Sequence, residues 1–284
     1  MWPLLVVGFG AMFIVPLALE AMRRHGADIK VPTLVFMVAW LGITISALSR
    51  HWLPALPWLL VTLWIAWQAV VQFVRGPKTL ARAVMLSGPA MLAVGGAWFF
   101  ADRAGLEPFG FDFLTVRLTA AHFHFAGFLL PITAGLVLRQ WPCRVVKVAA
   151  IGAVAGVPLV ATGITLTRLG MRVEIECVLA LLFAVCALAI GISQAVLAVR
   201  LEAQSIVTRA LLFLSGGSLS AGMVLAILYA LRPWVSLPAL HLPAMWAWHG
   251  SIQAFGFALC NMAGWLGWRP VPSPACPPGS ARPE

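Results

Sequence analysis

The stretch 174–199, EIECVLALLFAVCALAIGISQAVLAV, decides the fold. A helix needs about 20 mainly apolar residues to cross the hydrocarbon core of a bilayer. This run supplies them, with its only charges at the entrance. Working outward on the same ruler gives eight more such runs: 2–22, 31–49, 53–74, 82–101, 114–138, 145–167, 208–231 and 243–268. Charges and helix breakers separate them, as in RRHGADIK (23–30), RGPK (75–78), RQWPCR (139–144) and RLEAQ (200–204). The sixth run is the most dilute, because Pro158, Gly163 and several threonines interrupt it. The expected fold class is therefore all-α, a polytopic transmembrane helix bundle of about nine spans over residues 1–268. Residues 269–284 hold six prolines and no apolar stripe, and are expected to be a disordered cytoplasmic tail.

Composition excludes a soluble fold. Of 284 residues, 62% are apolar and only 10% are charged, and the mean hydropathy is +0.96. Soluble domains carry about 25% charged residues, enough to keep their surface wetted. The net charge of +10 would suit a nucleic-acid binder, but such proteins gather their basic residues on one face. Here they are dispersed between the apolar runs, which excludes a nucleic-acid partner and points to membrane lipids. Five cysteines show no disulfide framework and no zinc spacing. Residues 2–22 lack a basic leader and a small-residue cleavage site, so that run is expected to be retained.

The short loops set the expected orientation. Odd-numbered loops contain eleven Lys and Arg, even-numbered loops six. Basic residues favour the cytoplasmic side. The N-terminus is thus expected outside and the C-terminus in the cytoplasm, in a multi-pass protein of the inner (plasma) membrane. Loop 102–113 then lies outside, with its acids expected to be solvated.

Ionisable groups within spans are costly and so mark candidate sites. His122 and His124 enter the fifth run, roughly 12–15 Å along the helix from Leu114 at 1.5 Å per residue. Residues two apart in a regular helix point in nearly opposite directions. A shared ion would therefore require local distortion. Thr115, Thr119 and His122 share one stripe, whereas His124, Gly127, Phe128 and Pro131 share another. In the ninth run His249 and Gln253 stand one turn apart on one face. The orientation puts all three histidines in the outer leaflet, with Glu174 and Glu176 opening the seventh span on the same side.

Three neutral imidazoles can ligate zinc, copper or haem iron. Imidazole with carboxylate can instead move protons on a lipophilic small molecule such as an isoprenoid. His122, His124, His249, Glu174 and Glu176 are the catalytic candidates, and Thr119 and Gln253 the substrate-binding ones. The same three histidines are the alternative metal ligands, and the sequence names no particular cofactor. The bland alternative is that such histidines hydrogen-bond across the bundle and glue helices together. Glu20 reads as an interfacial partner of Arg23 and Arg24, and Gln68 and Gln72 as packing glue.

At these residues the chain resembles the YndJ-like integral membrane proteins of bacteria. That family has an H-F-H-x-A-G-F segment, matched by His122, Phe123, His124, Ala126, Gly127 and Phe128. A later H-G-x-x-N-A-x-G-F segment is matched by His249, Gly250, Ala254, Gly256 and Phe257, with Gln253 in place of the asparagine. The resemblance implies a multi-span bacterial membrane protein and no settled activity. Three function classes stay open: a membrane-embedded enzyme or cofactor protein, a transporter or channel, and a non-catalytic assembly or sensor protein.

Reporter fusions test the orientation. A fluorescent protein that folds only in the cytoplasm is expected to glow when fused after Gly76. A phosphatase active only after export is expected to work after Gly170, and the reverse pattern would invert the topology.

Overall fold

The computed structural model describes residues 2–236 and 240–269 and contains no strand among them. Each expected span is a helix. They are α1 (Trp2–Arg24), α2 (Thr33–Ser49), α3 (Leu53–Arg75), α4 (Leu80–Arg103), α5 (Phe113–Gln140), α6 (Arg144–Arg168), α7 (Val173–Arg200), α8 (Ile206–Ala230) and α9 (242–266). Seven of them, all but α2 and α9, are long and apolar enough to cross a membrane. The expected Pro-rich tail lies, apart from Arg269, outside the described residues.

The dilute sixth run is one unbroken helix. Thr162 and Thr165 donate their hydroxyls to the carbonyls of Pro158 and Ala161, each at 2.8 Å. These side chains satisfy themselves on their own helix, so they cross without needing water.

By internal packing the chain divides into two compact units. The first holds α1, α2, α3, α4 from Leu86 and α5 as far as Ile132. The second holds the opening of α4, α5 from Thr133, and α6 to α9. Within the first unit, the loop between α1 and α2 is held by α3. Gln68 exchanges two hydrogen bonds with the backbone of Lys30, and Gln72 donates to the Asp28 carbonyl. The two glutamines are packing glue, as expected. Glu20 likewise accepts from Arg23 and Arg24 at 2.7–2.8 Å.

In lipid there is no hydrophobic drive between helices, so contact depends on small residues that let backbones approach. In the second unit Gly191 of α7 and Gly216 of α8 face each other. A Cβ on Gly191 would stand 2.9 Å from the Gly216 carbonyl and 2.7 Å from the Ser220 hydroxyl. Gly191→Leu is therefore expected to force α7 and α8 apart, at a cost of about 1–3 kcal/mol for overpacking. Thermal unfolding in detergent checks this. Gly191→Leu should melt several degrees below wild type, whereas Gly217→Leu, where a Cβ meets open space, should not.

Candidate functional site

The histidine segment of α5 departs from regular geometry. The helix is α-helical to His122, turns π-helical over Phe123–Gly127, and resumes at Leu129. α1 has a π turn at Gly10–Ile14, and α9 has one at Ile252–Leu259. A π turn inside an α-helix often marks a functional site. Two of these three coincide with the two motif segments.

His124 is fully buried in the first unit. Its Nδ1 lies 2.8 Å from the Ala120 carbonyl, and its Nε2 lies 3.0 Å from the indole nitrogen of Trp58 on α3. Indole N–H can only donate. Nε2 is therefore the acceptor, and Nδ1 carries the proton that it donates to Ala120. The two rings are nearly coplanar, 17° apart with centroids at 5.8 Å, so they meet edge to edge. Neighbouring helices enclose the pair. A Cβ on Gly95 of α4 would stand 2.9 Å from His124 Nδ1, and one on Gly10 of α1 would stand 3.1 Å from the Phe125 ring. Both imidazole nitrogens are thus engaged.

His122 is exposed on the other side of α5. Its Nδ1 bonds to the Leu118 carbonyl at 2.9 Å, which leaves Nε2 as the nitrogen for further chemistry. Thr119 donates its hydroxyl to the Thr115 carbonyl at 2.8 Å on the same helix. The π turn does not bring His122 and His124 to one face; it keeps one inside and the other outside.

One acid departs from expectation. Asp102 is not a solvated loop residue: α4 extends to Arg103 and carries Asp102 into its last turn, where its side chain is 1% exposed. Arg103, itself buried, grips one carboxylate oxygen through two nitrogens. Arg117 of α5 bonds the other oxygen at 2.7 Å. Arg103 also donates to the Ser46 carbonyl of α2 at 3.5 Å, so the clamp joins three helix ends. Asp112 caps α5 by accepting from the Thr115 amide at 2.8 Å, and Glu107 is exposed.

In the second unit, His249 Nδ1 lies 2.9 Å from the Gly222 carbonyl of α8. Gln253, buried against Gly222, donates to the Leu219 carbonyl at 3.5 Å. The two side chains expected on one face of α9 thus clasp one stretch of α8 backbone. Glu174 pairs with Arg172 at 2.9 Å on the surface. Glu176 pairs with Arg232, which follows α8. Burial alone would lower the Arg232 guanidinium, but the hydrogen bond and charge of Glu176 outweigh it and raise it. The Glu174 hydrogen bond likewise raises Arg172.

His122 and His124 thus belong to one unit and His249 to the other. Among the described residues no three His, Cys, Asp or Glu side chains stand together to hold a metal ion. Sequence reasoning did not single out Trp58 as the partner of His124, nor the buried amides Gln194 and Asn261. Gln194 bonds the Ser215 hydroxyl at 2.8 Å and accepts from Trp265 at 3.4 Å, and Asn261 donates to Thr133. The amides were open to the rule that flagged the histidines, as polar groups inside apolar runs. Trp58 carried no such signal among thirteen tryptophans.

A family model described as YndJ-like protein matches residues 5–257, a range that includes both histidine segments. The chain belongs to the YndJ-like family. It is similar to the uncharacterized membrane protein YndJ of Bacillus subtilis (strain 168), at 28% identity over 198 residues. That alignment covers 64% of this chain and 32% of the relative, so the chain spans about a third of the relative's length. No solved structure matches. The apolar helices and this relative make the chain a multi-pass integral protein of a bacterial membrane.

Trp58→Phe would leave His124 Nε2 buried without a donor. An unsatisfied buried acceptor costs about 1–3 kcal/mol, whereas replacing both partners by apolar groups is close to neutral. Trp58→Phe is therefore expected to lower the melting temperature in detergent, and adding His124→Leu to recover part of the loss. Strictly additive losses would show that the two rings are not coupled.

Proposed function

We propose that this YndJ-like chain is a non-catalytic membrane assembly protein whose motif histidines set helix packing. The observation that carries this reading is the line from Trp58 through His124 to the Ala120 carbonyl, which uses both nitrogens of the imidazole. Ligating a metal or accepting a substrate proton at His124 would break one of those bonds inside hydrocarbon. His249 and Gln253 support the same reading, because both are committed to the backbone of α8. Glu174 and Glu176 add to it through their arginine partners, which leave neither acid as an isolated charge.

A second reading, a membrane-embedded enzyme or a metal or haem protein, is favoured by one feature. His122 and His249 each bind a backbone carbonyl through Nδ1. Metal-ligating histidines commonly have this anchorage, which fixes the ring and aims Nε2 at the ion. In that reading Nε2 of each serves as ligand or proton carrier toward a lipophilic molecule in the outer leaflet, with Thr119 on the helix of His122 and Gln253 on the helix of His249.

Metal and haem content of the purified protein separates the two. The assembly reading expects no stoichiometric zinc, copper or iron and no Soret band. It also expects His124→Ala to melt well below wild type and His122→Ala to melt close to it. Stoichiometric metal or haem that disappears in His122→Ala or His249→Ala would overturn the assembly reading in favour of the second.

A further inference from the structure

The α2–α3 hairpin of the first unit carries an open groove of about 380 Å³. Leu34, Val35 and Val38 of α2 form one wall, and Leu60, Val61 and Trp64 of α3 form the other. The lining side chains are apolar apart from the Trp64 indole nitrogen, which donates to the Lys30 carbonyl at 3.1 Å. That bond fixes what stands at the groove's end. Gln68 holds the same residue from both sides, donating to the Lys30 carbonyl at 2.8 Å and accepting from its amide at 3.0 Å. α3 therefore clamps the Lys30 backbone beside the groove, while the Lys30 side chain remains 79% exposed. Among the described residues its ionic contact is Asp28 at 3.3 Å, itself 45% exposed. Exposed pairs of this kind contribute little and leave the ammonium free to take another anion.

We infer that this groove seats one acyl chain of an anionic phospholipid, with the phosphate of its headgroup at Lys30. Four observations favour that occupant over a neutral lipid or another helix. Lys30 supplies a cation at the groove's end. Arg75, exposed at the end of α3, adds a second on the same side of the hairpin. α2 has only 17 residues, a length of about 25 Å at 1.5 Å per residue, against a core about 30 Å thick. A helix that short draws headgroups inward along its own flank. Trp64, apolar in body and polar at one edge, is suited to the boundary where chain meets headgroup.

Native mass spectrometry of the purified full chain tests this, using phosphatidylglycerol and phosphatidylcholine with identical chains. Phosphatidylglycerol is expected to bind about fivefold more tightly, the preference that one lysine near an anionic headgroup provides. Lys30→Gln should cut the preference to the smaller share that Arg75 supplies, and Lys30→Gln with Arg75→Gln should bring the two lipids to equal affinity. Val38→Trp, which fills the groove, should weaken both, whereas Leu41→Trp on the same helix outside the lining should change neither. Thermal unfolding of each variant establishes that it is folded. Wild-type preference retained in Lys30→Gln would overturn the headgroup assignment. Equal effects of Val38→Trp and Leu41→Trp would overturn the groove.

Discussion

Hydrocarbon offers a polar group no water, so each one must find its partner within the protein. The arrangement around His124 follows from that constraint. An imidazole inside the first unit needs an acceptor for one nitrogen and a donor for the other. Ala120, one turn back on α5, provides the acceptor, and Trp58 brings its indole N–H to the far edge. Room for this line comes from residues without side chains, Gly95 on α4 and Gly10 on α1. The same logic operates at the helix ends, where Asp102 is buried only because two guanidiniums close on it. Paired and hydrogen-bonded in this way, a buried charge becomes tolerable, and removing Asp102 would leave the buried Arg103 guanidinium without its counter-ion.

Much of this was legible in the sequence, because length and charge placement answer to a single ruler. Each apolar run became a helix, and the run broken by Pro158 and threonines held because those threonines bond back to their own helix. The opposite directions of His122 and His124 were legible too, since spacing alone dictates them. What the sequence did not reveal depends on tertiary partners. A π turn is a change of hydrogen-bond register, which leaves no mark in apolar periodicity. Trp58 resembles every interfacial tryptophan until α5 packs against it. Asp102 read as a loop acid because a charge normally ends a span, and its two arginines lie one and fifteen residues away in the sequence.

Gln253 shows how a departure from a family motif is absorbed. The motif's asparagine would be shorter by one methylene, and the longer amide reaches the Leu219 carbonyl at 3.5 Å, near the limit of a hydrogen bond. Its Oε1 is buried without a partner. The missing side chain of Gly222 makes space for the extra length. Helix contact is preserved at this position by geometry rather than by hydrogen-bond strength.

A π turn is equivalent to an α-helix carrying one additional residue. Loss of a single residue from 123–127 would let α5 close into a continuous α-helix while the residues beyond keep their facing. Thr133 would then still meet Asn261, whereas the side chains of the turn itself would change places and the line from Trp58 to Ala120 through His124 would be lost. The turn thus confines a one-residue length change to its own few residues and spares the rest of the helix.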